Sequence, residues 1–169
     1  GIDVERMQLV FLVELQGVPA AADHSPSAVQ LLQMRILARR DDALTATVGP
    51  AELVLLEAWE PSRKGLETPP QRRLDALTQL LREECPLPFT LSMGIALPGI
   101  EGAAISYGSA RTASRLGRAR DPQQQVFSYY EMALPVLLSG LDSGWQAHQL
   151  RMPIARLAPM IGTTTPARS

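Results

Sequence analysis

Leu44-Thr45-Ala46-Thr47-Val48-Gly49-Pro50-Ala51-Glu52-Leu53-Val54-Leu55-Leu56-Glu57-Ala58-Trp59 reads as two strand-like runs, Leu44 to Val48 and Leu53 to Trp59, either side of the break Gly49-Pro50-Ala51-Glu52. Glycine followed by proline between apolar runs makes the chain reverse within a few residues, so the stretch predicts a β-hairpin. Toward the N-terminus, Met7 to Leu15 is a nearly continuous apolar run closed by Gly17 and Pro19, the pattern of a buried central strand. Between that run and the hairpin, Ser25-Pro26-Ser27 supplies an N-cap and a first-turn proline. Val29, Leu32, Ile36 and Leu37 then recur at helical spacing up to Arg39, Arg40 and Asp41. Toward the C-terminus, Pro61 to Pro70 is loop by composition, and Leu74, Leu77, Leu80 and Leu81 make one face of a helix opening at Gln71. That helix ends near Cys85-Pro86, because the residue before a proline is pushed out of the helical region. Phe89 to Leu97 is a further predicted strand, closed by Pro98-Gly99.

The order strand, helix, strand, strand, helix, strand is that of a ferredoxin-like βαββαβ unit of the kind used by cyclase palms. It predicts an α+β fold with an antiparallel sheet and helices on one face. C-terminal helices follow. The expected elements are a helix over about Glu101 to Arg118, a turn at Asp121-Pro122, a strand at Val126 to Tyr130, an apolar helix through Leu134, Leu137, Leu138 and Leu141, and a last helical piece near Trp145. The expected organisation is a palm domain over 1–131, a helical extension over 132–158, and a loose tail over 159–169.

Composition limits the function. The chain has 169 residues, 46% apolar and 20% charged, enough for one globular core without a staple. Cys85 is the single cysteine, which excludes an intramolecular disulfide framework and paired-cysteine zinc sites and suits a reducing cytoplasm. The net charge of −1 gives no drive toward a polyanion, so nucleic-acid binding by this segment alone is not expected. No apolar stretch approaches the length of a membrane span, and the first residues do not form a signal peptide. Beginning at Gly1, the chain is expected to be a piece of a longer protein. His24 and His148 lack metal-ligand spacing, and no G-x-S-x-G, P-loop or G-x-G-x-x-G signature occurs. Cys85 before its proline is read as a small buried hydrophobe. Arg111, Arg115 and Arg118 fall at i, i+4 and i+7 and share a helix face, which would suit either a solvated surface or an anion.

In this fold order the end of the first strand and the hairpin turn lie together, where nucleotide cyclases of palm type keep their metal-binding carboxylates. Gly49-Pro50-Ala51-Glu52-Leu53 stands where diguanylate cyclases carry Gly-Gly-Asp-Glu-Phe, and Glu14 with Gln16 stands where their first strand has an Asp-x-Asp pair. The resemblance implies a site stripped of its chemistry. Pro50 fills the space that bare glycine backbone would leave and removes an N–H, and Ala51 offers no ligand. Two-metal phosphoryl transfer lacking this much negative charge loses the electrostatic stabilisation that carries most of its rate. No catalytic residue, metal or cofactor is therefore expected. The enzymatic alternative is residual GTP binding or cyclase activity through Glu14 and Glu52.

Further on, several strings together resemble the central region of the carbohydrate diacid regulator family of bacterial transcription factors. They are Ser92-Met93-Gly94-Ile95, Ile105-Ser106-Tyr107, Ala110-Arg111-Thr112-Ala113, Val126-Phe127-Ser128-Tyr129, Leu134-Pro135-Val136-Leu137-Leu138, Trp145-Gln146-Ala147 and Pro153-Ile154-Ala155-Arg156-Leu157. The resemblance implies a cytoplasmic regulator in three parts: an N-terminal sugar-diacid domain, a degenerate GGDEF-like middle, and a C-terminal PucR-type helix-turn-helix. This chain corresponds to the middle. DNA and sugar diacid are expected as partners only of the other two parts, and the middle is expected to pair with itself through Leu134, Leu137, Leu138 and Trp145. A third reading makes the arginine stripe a sensor of small anions.

Overall fold

The computed structural model describes residues 6–19, 25–40, 42–59 and 70–132. In chain order these form β1 (Met7–Leu15), α1 (Ala28–Arg39), β2 (Leu44–Val48), β3 (Glu52–Trp59), α2 (Gln71–Glu84), β4 (Phe89–Met93), β5 (Leu97–Pro98), α3 (Gly99–Arg120) and β6 (Val126–Ser128). The architecture is α+β, with a mostly antiparallel sheet in the order β2-β3-β1-β4-β6 and β5 paired to β1. Only the β4–β6 pair is parallel.

β1 is the centre of the sheet. It pairs with β3 from Met7↔Trp59 to Glu14↔Glu52 and with β4 from Phe11↔Met93 to Leu15↔Phe89. Its odd-numbered side chains, Leu9, Phe11, Val13 and Leu15, join Val29, Leu32 and Ile36 of α1 and Leu74, Leu77 and Leu81 of α2 in one buried cluster. Its even-numbered side chains face the other way, toward α3. There the Val10 N–H donates to Ser106 Oγ at 2.9 Å, and Glu14 is engaged by Ser114. Coverage on both faces explains why the strand reads as a continuous apolar run instead of an alternation.

The helices α1 and α2 share one face of the sheet. The later helix expected over about Glu101 to Arg118 is α3, which covers the opposite face of β1 and β4 and gives three layers. Small residues make that close approach feasible: Gly102, Ser106, Ser109, Ala110, Ala113, Ser114 and Gly117 form the buried side of α3. At the start of α1, Ser27 and Gln30 form a reciprocal capping box that satisfies two backbone donors.

Two strand predictions are shortened. The run Phe89 to Leu97 is broken at 94–96: β4 and β5 both pair with β1, but the register slips by one residue between them, which is the signature of a bulge. A Cβ at Gly94 would collide with the Ser106 carbonyl, so the chain can pass beneath α3 here only as glycine. The run Val126 to Tyr130 pairs only as far as Ser128, after which Met132 N–H bonds back to the Tyr129 carbonyl at 3.0 Å and turns the chain. The chain divides into two compact units, Gly1–Ala133 and Leu134–Ser169. The helices predicted through Leu134, Leu137, Leu138 and Trp145, and the tail over 159–169, lie outside the described residues. No helix among the described residues is long and apolar enough to cross a membrane.

Candidate functional site

The hairpin closes on the pair Val48↔Glu52, leaving Gly49, Pro50 and Ala51 as its loop. Gly49 has φ +70°, a left-handed conformation that glycine enters without the Cβ penalty. Pro50 follows where its fixed φ suits the turn, so the proline that spoils the cyclase-like motif is also what stiffens the reversal. The tip is tied to the end of β1, since Leu15 N–H donates to the Ala51 carbonyl at 2.8 Å. One residue on, Gln16 N–H donates to Pro88 O at 2.8 Å, and the Gln16 side chain donates to Thr90 Oγ1 at 3.3 Å.

Glu14 and Glu52 are direct cross-strand partners, so both side chains leave the sheet on the α3 face. The two carboxylates singled out from sequence are thus brought together. Their environments differ. Glu52 is half-buried, and its carboxylate has no hydrogen bond or ion pair among the described residues. Glu14 has a partner on each oxygen: Ser114 Oγ donates to Oε2, and Arg118 Nη2 donates to Oε1 at 2.9 Å. The Glu14 side chain is 17% exposed and that of Arg118 is 41% exposed.

The arginine stripe converges on the same place. Glu14, Arg111, Thr112, Arg115 and Arg118 line one groove of about 390 Å³. Arg111 lies over the Tyr107 ring, 5.8 Å from its centroid, and donates to the Tyr107 hydroxyl at 3.4 Å. Arg115 has no ion pair among the described residues. Three guanidinium groups against one carboxylate give the groove a net positive lining. Guanidinium groups carry paired donors whose geometry matches carboxylate and phosphate oxygens.

A pair of divalent metals does not fit this lining. The carboxylate on β1 already has a donor on each oxygen, Ala51 supplies no ligand, and no cluster of three His, Cys, Asp or Glu side chains occurs among the described residues. His24 and His148 lie outside the described residues. Cys85 is half-buried at the end of α2, where burial pushes its thiol pKa up and Sγ donates to Leu87 O at 3.3 Å. A larger groove of about 500 Å³ between α2 and β6 is lined by amides and mixed charges, among them Gln71, Asp75, Arg82 and Glu131, and none of the sequence-selected residues reaches it.

Sequence reasoning missed Ser114 and Tyr107. Ser114 precedes Arg118 by one helical turn, so both reach the same carboxylate once α3 is laid across β1. No local pattern announces that crossing.

The sequence profile of the GGDEF-like domain matches residues 1–116. The chain is 31% identical over 161 residues to the carbohydrate diacid regulator of Escherichia coli, covering 95% of this chain and 42% of that protein. It is 23% identical over 157 residues to an uncharacterized protein of Haemophilus influenzae, covering 93% of this chain and 40% of that protein. The chain thus spans about two fifths of the length of the curated relatives it matches.

Proposed function

The chain belongs to the GGDEF-like domain family, and on that premise we propose that it is the central relay and dimerisation segment of a cytoplasmic regulator of sugar-diacid use, without catalysis of its own. The similarity to a carbohydrate diacid regulator across 95% of the chain supports the regulatory reading. The observation that carries the loss of catalysis is the state of Glu14, whose negative charge is answered by Arg118 and Ser114. Beside it the hairpin presents a pyrrolidine ring and a methyl group at Pro50 and Ala51. A transition state needing two metal ions finds a guanidinium in their place. In this reading DNA and sugar diacid are handled elsewhere in the full-length protein, and the segment transmits the sensor's state by pairing through Leu134, Leu137, Leu138 and Trp145.

Incubation with GTP and magnesium, followed by chromatography of the products, tests the first part. No cyclic product is expected, and turnover that disappears in Glu52→Ala overturns it. Light scattering at high concentration tests the second, and a persistent monomer removes the dimer.

The groove favours a second reading. Its three arginines would suit a small anionic effector, and calorimetric titration with sugar diacids and with nucleotides addresses this directly. Silence with all of them removes the sensor reading.

A further inference from the structure

We propose that Arg118 is the resident cation of the Glu14–Glu52 site, a side chain that has taken over the electrostatic task of a metal ion and thereby excludes one. This rests on the reading that the site has no metal chemistry, and it makes the exclusion of the ion a property of one side chain that a single substitution reverses.

Glu14 and Glu52 are directly opposed on adjacent strands, and like charges in that relation repel unless a cation stands nearby. In this chain the cation comes from α3. Arg118 is 104 positions away from Glu14 and reaches its Oε1 at 2.9 Å. Ser114, one turn earlier on the same helix face, takes Oε2. With Ser114 on one oxygen and the Arg118 guanidinium on the other, a divalent ion approaching Glu14 meets a carboxylate whose charge is already answered and a fixed positive charge beside it. It would also enter a groove that Arg111 and Arg115 keep positive.

Arg118 lies in the last turn of α3, where a basic side chain also complements the helix dipole. The two roles separate cleanly. A dipole partner acts on the helix end alone, whereas a resident cation controls what Glu14 can bind.

The test is manganese binding, followed by water-proton relaxation, on the full chain and its variants. The wild-type protein is expected to show no manganese binding that depends on Glu14. Arg118→Gln removes the charge while keeping a hydrogen-bonding side chain, and should bind manganese at least about tenfold more tightly than wild type, with an affinity on the order of millimolar. The gain should vanish in Arg118→Gln combined with Glu14→Gln, and Arg118→Lys should exclude manganese as wild type does. Circular dichroism of each variant confirms folding, and the partial exposure of Arg118 makes a neutral replacement structurally mild. Arg118→Gln that folds and gains no binding overturns the proposal. So does Glu14-dependent binding by the wild type, and that outcome also removes the ground for catalytic silence. A wild type inert toward GTP together with an unresponsive Arg118→Gln would sink the resident-cation proposal alone.

Discussion

Glu57 is a buried charge whose removal should cost this domain several kcal/mol on the scale of about 3–5 kcal/mol for a broken buried pair. It sits on β3 at 1% exposure and is held between two arginines: Arg40 Nη1 lies 2.8 Å from Oε1, and Arg73 Nη1 lies 3.1 Å from Oε2. The Arg73 contact is a hydrogen bond, whereas Oε1 accepts no aligned hydrogen bond, so charge carries the Arg40 contact. Arg40 is the C-cap residue of α1 and Arg73 lies in the first turn of α2, so one carboxylate fastens two helix ends to the sheet. Glu57→Ala leaves Arg40, only 19% exposed, to face Asp42 alone, while Arg73 at 36% exposure can turn to water and keeps its bond to the Ala58 carbonyl. Removing one partner of a buried pair costs about 3–5 kcal/mol; with one arginine able to escape, we expect the lower end, about 3 kcal/mol. That is a large share of the roughly 5–15 kcal/mol typical of a domain. Urea unfolding is the assay, and the midpoint should fall by roughly 1–3 M at unchanged slope. The combined variant Glu57→Leu, Arg40→Met, Arg73→Met should recover most of the loss, because apolar packing replaces buried ion pairs at little cost. A loss below about 1 kcal/mol for Glu57→Ala, at unchanged slope, would refute the argument that this carboxylate is an indispensable counter-ion.

Gly117→Ala should lower the melting temperature, because its Cβ would run into the fully buried Phe127 ring; overpacking of this kind costs about 1–3 kcal/mol. Asp42 is held below its ordinary value of 3.8 chiefly by its hydrogen bond to Arg40, so it stabilises the fold at neutral pH and loses that contribution as pH falls through its depressed value. Asp42→Asn should therefore flatten the acid limb of the stability curve below about pH 4, and an unchanged limb counts against the pair. Burial raises the Cys85 thiol above its ordinary value of 9.0. Alkylation by iodoacetamide at pH 8 should accordingly be slower than for an unstructured thiol, and stability should decline as pH climbs past the unfolded value.

Much of the fold was legible along the chain because it is written in local patterns. The apolar run of β1, the helical spacing of Val29, Leu32 and Ile36, and the Gly49-Pro50 reversal each declare themselves within a few residues, whereas the two faces of β1 separate only once helices cover both. At 94–96 the sequence offers only Gly94 inside the run Phe89 to Leu97, a hint of a bulge whose cause is not local; it arises from the passage of Gly94 under Ser106, a contact made only when α3 is in place. At the candidate site, Glu14, Glu52 and the three arginines were all visible as residue types. What they do to one another was not.

The sequence by itself determined the order of the elements, the degraded hairpin motif and the presence of two carboxylates and an arginine stripe. Only the tertiary structure decided that the arginine stripe meets the first carboxylate, with Arg118 and Ser114 on Glu14 and Arg111 and Arg115 beside them. The physical reason is distance along the chain. A hydrogen bond between residues 104 positions apart depends on sheet register, on the bulge and on the close seat of a small-residue helix; the small residues of α3 recur at helical spacing, but nothing in that spacing says which strand the face crosses or at what register.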